Sequence, residues 1–305
     1  MILDRLLTLG ALLLAQACAA PALAPAPQPS SKADTSDPDA LRVALCQIEV
    51  RPDLELGLAA VDRALEQASA QGAALAVFPE ACLLGWVNPE AHTAAAPIPG
   101  ATTARLGALA ERHGLMVAIG LAERDGDALH NSAVLIDSDG TLLLRHRKVN
   151  VLSELMDPPY TPGDGRPAVV DTRLGRIALL ICADTFEAPI VEAVGEQHPQ
   201  LVLVPYGWAA PAGDWPEHGE SLHGWIAHTA RAVDAPVVGV DSTGEISHGP
   251  WAGLALGGQS FVCDRTGTPL AQLADRRTEV RVVEIVLPQR SAAIEASNGA
   301  ARGED

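Results

Sequence analysis

Ile177-Ala178-Leu179-Leu180-Ile181-Cys182-Ala183-Asp184 is a continuous apolar run that turns polar and acidic at a cysteine. Such a run reads as a buried strand of a parallel sheet, and in open α/β sheets the reacting groups gather just beyond the strands' carboxyl ends. Cys182 therefore stands where a nucleophile would. Two other strand-like runs end in complementary chemistry. Leu75-Ala76-Val77-Phe78-Pro79-Glu80 delivers a carboxylate, and Leu142-Leu143-Leu144-Arg145-His146-Arg147-Lys148 delivers an ammonium. A thiol, a base and a cation make a hydrolytic set.

Outward from this run the chain alternates extended and helical patterns. Period-two or continuous apolar stretches predict strands over 43–48, 74–78, 116–120, 131–136, 141–144, 176–181, 201–204, 236–240, 259–263, 269–273 and 280–286. Apolar residues three and four apart predict helices over 56–70, 102–113, 188–196 and 222–233. Asp137-Ser138-Asp139-Gly140 is a hairpin signal between two of the strands. Alternating elements with hairpins interspersed predict an α/β fold of two mixed sheets covered by helices.

The residue types dictate a mechanism. A cysteine of unperturbed pKa near 8.5 is only a few per cent thiolate at neutral pH, so a thiol hydrolase needs a nearby base or cation. Glu80 can be that base, because a carboxylate walled by Phe78, Cys82, Leu83 and Trp86 would be desolvated and better suited to accept a proton. Lys148 would hold the developing oxyanion, helped by the backbone N–H of Ala183, and one such preorganised donor is typically worth about 3 kcal/mol. No metal or organic cofactor is required. Each residue alone has a blander reading: a loop glutamate, a lysine in an exposed basic cluster, a buried inert thiol. Their occurrence together, each at a strand end, favours the catalytic one.

The order Glu80, Lys148, Cys182 with its flanks resembles the nitrilase superfamily of carbon-nitrogen hydrolases. The likeness runs from Val43-Ala44-Leu45-Cys46-Gln47 through Phe78-Pro79-Glu80, Arg147-Lys148, Thr161-Pro162-Gly163-Asp164 and Ile181-Cys182. It continues in Val204-Pro205-Tyr206-Gly207-Trp208, Ala230-Arg231-Ala232-Val233 and Gly258-Gln259-Ser260, and ends near Pro288. The resemblance implies a four-layer α-β-β-α sandwich, hydrolysis of a small non-peptide amide or N-carbamoyl compound through a cysteinyl thioester, and a homodimer. It also implies a second glutamate that orients the lysine or the substrate, a role carried over to Glu154, although Asp157 lies in the same stretch. Nitrile hydrolysis, N-acyl transfer and a non-catalytic binding protein on the same scaffold are the competing readings. The sequence departs from the family pattern at Ala183, where amidase-like members carry tyrosine and nitrile-active members tryptophan. It departs again at Lys148-Val149-Asn150, which replaces lysine-x-histidine, and at Asp184-Thr185-Phe186-Glu187, shorter than the common stretch.

Trp86, Tyr206, Trp208 and Trp251 lie on loops that follow strand ends and are expected to line a substrate cleft. His218, His223 and His228, spaced by five, scatter around a helix and argue against a metal site there. The first residues read as a signal peptide over 1–20, with an apolar run from Leu6 to Ala15, and Ala15-Gln16-Ala17-Cys18 resembles a lipobox that would anchor the chain by a lipid on Cys18. Residues 21–40 read as an unstructured tether, 41–290 as the hydrolase domain and 291–305 as a frayed tail. Export to a periplasmic or other extracytoplasmic space is the expectation. Cys46, Cys82, Cys182 and Cys263 fall in the folded part without the dense spacing of a disulfide scaffold. A formal charge of −17 argues against nucleic acid and anionic lipid surfaces, and 48% hydrophobic residues suffice for a large core.

Overall fold

The computed structural model describes residues 40–289. The expected signal peptide, the lipobox at Cys18, the tether up to residue 39 and the tail lie outside the described residues. The first sheet is built from β1 (Leu41–Gln47), β2 (Leu75–Val77), β3 (Met116–Asp125), β4 (Ala128–Ile136), β5 (Leu142–Arg147) and, at its other edge, a strand over Glu279–Ile285. That last strand runs antiparallel to β1, from Leu41 opposite Ile285 to Gln47 opposite Glu279, while β1, β2 and β3 are parallel. Between them, α1 (Leu54–Ala70) and α2 (Ala101–His113) make the crossovers. The Asp53 side chain caps α1 by accepting from the Leu56 N–H at 2.8 Å, which starts the helix two residues earlier than its apolar periodicity indicates.

The second sheet contains β6 (Ala168–Thr172), β7 (Gly175–Leu179), β8 (Leu201–Pro205), a strand over Val237–Val240, and antiparallel strands over Phe261–Cys263 and Pro269–Gln272. β7, β8 and the Val237–Val240 strand are parallel, linked through α3 (Ala188–Gly195) and α4 (His218–Val233). β6 was not expected from the sequence: three of its five residues are only partly buried, so its pattern is weak beside that of β7. A third, small sheet of two- and three-residue strands over Ala209–Ala210, Thr243–Glu245 and Ala255–Gly257 also lacks a sequence signal, because so few residues show no period.

Strand alternation fixes the layers. Val43 and Leu45 face the core shared with Leu179, Val202 and Val204 of the second sheet. Ala44 and Cys46 face the other way, against Val61, Leu65, Leu106 and Ala110 of α1 and α2. Val191, Leu222 and Ile226 of α3 and α4 cover the far side of the second sheet. The order helix, sheet, sheet, helix is the four-layer sandwich. Among the described residues no helix is long and apolar enough to cross a membrane. Cys46, Cys82, Cys182 and Cys263 are all buried and unpaired.

Candidate active site

The three strand ends named from the sequence converge. Glu80 follows β2 and is 2% exposed, Lys148 follows β5 and is 1% exposed, and Cys182 follows β7. The basic cluster around the lysine is divided by the strand's alternation. Arg145 and Arg147 turn outward onto Glu123, and Arg147 also onto Asp125, whereas His146 and Lys148 turn inward. Lys148 Nζ donates to Glu80 Oε1 at 2.5 Å, and Asn131 Nδ2, from β4, donates to the same oxygen at 2.6 Å. The backbone of Asn131 also accepts the Lys148 N–H at 2.8 Å, so one residue registers both base and cation. Gly120 of β3 lets the Glu80 turn lie directly on the sheet, since a Cβ there would fall 2.6 Å from Glu80 Cα and Ala81 N.

Cys182 occupies a left-handed backbone conformation with φ of 43°, the tight junction between β7 and the 3₁₀ turn Cys182–Phe186. Thr185 Oγ1 donates to the Cys182 carbonyl at 2.7 Å, and Asp184 fixes the turn to the lysine strand. Its Oδ1 accepts from Val149 N and Asn150 N, both at 2.9 Å, while Oδ2 meets His146 Nε2 at 2.8 Å. Asn150 Nδ2 donates in turn to the Ala183 carbonyl at 3.2 Å. The Asp184 and Asn150 side chains thus bind the cysteine turn and the lysine strand together.

The cysteine thiol and the Glu80 carboxylate line the same cavity. Burial pushes the thiol well above its usual range and the Glu80 charge adds to this, against a downward pull from Lys148 and from the Gly207 N–H. The resting group is therefore a thiol, deprotonated on demand by Glu80 rather than held as a standing thiolate by the cation. For Lys148, burial favours loss of the proton, but the charge of Glu80 prevails and keeps the ammonium.

These groups open into a cavity of about 40 Å³, lined besides by Trp86, Leu152, Ala183, Phe186, Trp208, His218 and Trp251. The aromatic walls support one another: Trp86 lies 4.9 Å from Trp251, and Phe186 meets Trp208 edge-on at 5.6 Å. A larger groove of about 370 Å³ lies between β5 and residues 162–168, but its Arg145, Arg147 and Arg166 are tied to Glu123, Asp125 and Asp164, and none of the three converging residues reaches it.

Trp86, Trp208 and Trp251 lie in the pocket wall as expected, and Ala183, whose N–H was expected at the oxyanion, lines the same cavity. Tyr206 requires correction. It is fully buried in the core, its hydroxyl 3.1 Å from Thr185 Oγ1, because the strand period stops at Pro205, after which Gly207, Trp208 and Ala209 line the cavity instead. Phe78, Cys82 and Leu83 likewise pack under the helices rather than around the carboxylate. Glu154 lies in a short 3₁₀ turn, Ser153–Leu155, and its side chain is outside the described residues. His218 stacks on Trp208, His223 on Phe261, and His228 meets Trp225 edge-on. Sequence reasoning missed Asn131 and Asp184, polar residues within or just after apolar strands, whose positions beside Ser132 and Ala183 were the available signal.

A family model for carbon-nitrogen hydrolases matches residues 42–295. The chloroplastic omega-amidase of Arabidopsis thaliana is 26% identical over 205 residues, covering 63% of this chain and 54% of that protein. The omega-amidase of Bos taurus is 28% identical over 250 residues, covering 78% and 86%. Solved structures of an amidase from Nesterenkonia sp. AN1 superpose closely. A variant with alanine for a cysteine, in complex with butyramide, has a TM-score of 0.71 at 25% identity over 87% of this chain and 99% of that one. A variant with glutamine for a glutamate carries the acetamide moiety of fluoroacetamide on its active-site cysteine, with a TM-score of 0.70 at 25% identity over the same shares.

Proposed function

Because the chain belongs to the carbon-nitrogen hydrolase family, we propose that it is a thiol amidohydrolase acting on short, uncharged primary carboxamides. The observation that carries this reading is the convergence of Cys182, Glu80 and Lys148 in a small aromatic-walled cavity. Lys148, the cation in that cavity, already faces Glu80 and is suited to a carbonyl oxygen rather than a substrate carboxylate. The butyramide and fluoroacetamide complexes of the Nesterenkonia amidase favour the same substrate size.

In this cycle Glu80 takes the thiol proton as Cys182 Sγ attacks the amide carbon, and the ammonium of Lys148 stabilises the oxyanion, with the Ala183 N–H as second donor. With Oε1 held by Lys148 and Asn131, Oε2 is the oxygen left to move protons. Glu80 returns the proton to the nitrogen, ammonia leaves, and a thioester remains. Glu80 then deprotonates the attacking water and hands the proton back to sulfur as the carboxylic acid departs. Ammonia release from acetamide, propionamide, butyramide, N-carbamoyl compounds and the matching nitriles tests the proposal, with Cys182→Ala as control. Turnover retained by that variant contradicts the covalent route, and activity confined to nitriles contradicts the amide assignment.

Export with a lipid anchor at Cys18, or cleavage nearby, belongs to the same proposal and is supported by the apolar run from Leu6 to Ala15; fractionation of expressing cells with labelled fatty acid tests it. A homodimer is proposed from the family resemblance alone, and sedimentation equilibrium tests it.

A further inference from the structure

A buried acid lies behind the pocket that the cycle above does not use. Asp241 follows the Val237–Val240 strand, which pairs with β8 so that Val240 lies opposite Pro205, and it is wholly inaccessible. Its Oδ1 accepts from the Trp208 N–H at 2.7 Å and its Oδ2 from the Gly258 N–H at 3.1 Å. The backbone N–H of Asp241 donates to Ser260 Oγ at 3.0 Å, and Ser260 Oγ donates to Gln47 Oε1 at 2.9 Å. Gln47 belongs to the first sheet, so the acid is braced from both sheets.

What this brace holds is the segment from Tyr206 to Trp208. The Tyr206 carbonyl accepts the Glu80 N–H at 3.1 Å. In a trans peptide unit the C=O and the following N–H point in opposite directions. A Tyr206 carbonyl fixed on the Glu80 backbone therefore sends the Gly207 N–H the other way, and Gly207 and Cys182 line the same cavity. The next N–H along, that of Trp208, is the one Asp241 captures. Gly207 also lies so close to the base that a Cβ would come within 3.1 Å of Glu80 Oε2.

We infer that the Tyr206–Gly207 peptide unit is a further catalytic element, its Gly207 N–H donating to the Cys182 sulfur, and that Asp241 is the positioning residue that holds this donor in place. The inference rests on Cys182 being the nucleophile. It supplies what the site otherwise lacks, since the Lys148 ammonium is directed at Glu80 Oε1 and the oxyanion, while negative charge also develops on sulfur when its proton leaves and again when the thioester breaks. Burial, with the Glu80 charge adding to it, pushes the Asp241 carboxyl well above the ordinary aspartate range, against the pull of the Trp208, Ser242 and Gly258 N–H groups. The carboxyl grips the Trp208 and Gly258 donors with its two oxygens.

The test compares Asp241→Ala and Asp241→Asn with the wild-type chain. The rate of Cys182 alkylation by iodoacetamide at fixed pH is read beside kcat and KM for butyramide and the thermal midpoint. Asp241→Ala is expected to slow alkylation about tenfold and to lower kcat by a similar factor with KM within about twofold, the lower end of what one hydrogen bond to a charged group supplies. Asp241→Asn, which keeps one acceptor oxygen for the Trp208 N–H, should fall between. Alkylation and kcat unchanged in folded Asp241→Ala, or a loss confined to KM, overturns the inference. If the alanine variant does not fold, wild-type alkylation in Asp241→Asn does so instead. A wild-type chain that alkylates at Cys182 yet hydrolyses no amide refutes the proposed function while leaving this comparison intact.

Discussion

Replacing Lys148 by methionine keeps the length and most of the volume of a buried side chain while deleting its charge, so the cost falls on its partner. Glu80 would keep the Asn131 donor on Oε1 but lose the ammonium that faces it at 2.5 Å in a site where the two side chains are 2% and 1% exposed. Removing one member of such a pair costs about 3–5 kcal/mol, because an uncompensated charge remains buried. The surviving Asn131 bond argues for the lower part of that range. For a domain of this size about 1 kcal/mol moves the thermal midpoint by roughly 2–4 °C, so Lys148→Met is expected to melt about 6–12 °C below wild type. Glu80→Gln added to Lys148→Met removes the stranded charge, and the midpoint should return to within about 3 °C of wild type while amide turnover stays lost. Scanning calorimetry of the four proteins of the cycle, with ammonia release measured on each, is the assay. A Lys148→Met midpoint within about 2 °C of wild type, or a double variant less stable than the single one, would refute the reasoning.

Three other outcomes follow from the same geometry. Gly120→Ala sets a methyl group against the backbone of Glu80 and Ala81, so stability should fall by about 1–3 kcal/mol and kcat should fall with it; a variant with unchanged kcat would show that the turn can move without disturbing the base. Trp251→Ala removes one wall of the cavity, and the preferred acyl chain should lengthen, read as a rise in kcat/KM for hexanamide relative to butyramide. Burial holds His223 below the usual imidazole range, against an upward pull from its bond to the Gln259 carbonyl. Because the folded value lies under the unfolded one, the contribution of the neutral ring is complete above about pH 6.5 and is lost as the pH falls below it. The thermal midpoint of His223→Gln should accordingly drop less between pH 7 and pH 5 than that of the wild type.

Much of this arrangement is legible in the sequence because strand ends are. Glu80, Lys148 and Cys182 each lie just beyond a strand, and the alternation Arg145, His146, Arg147, Lys148 already assigns the lysine to the inner face once β5 is known to continue to Arg147. Tyr206 and Trp208 show where such reading stops. Two residues apart, they share a face only while the chain remains a strand, and β8 ends at Pro205. Asp241 and Asn131 are hidden for a different reason: a polar residue beside an apolar run looks like the start of a loop until the backbone donors it serves, distant in sequence, are brought to it. The short strands of the third sheet bury too few residues to show a period.

The base and the cation belong to one sheet and the sulfur to the other. The chain passes between the two halves once through exposed Asp164, Gly165 and Arg166, and returns at the end as the Glu279–Ile285 strand, which zips along β1 over seven residue pairs. A cut in that exposed turn would therefore yield two inert pieces, one holding the proton acceptor and one the nucleophile, each with a ready-made edge for the other. Amide turnover from such a mixture would report their reassembly, making the enzyme a candidate split reporter whose signal appears only when the two layers of the sandwich close.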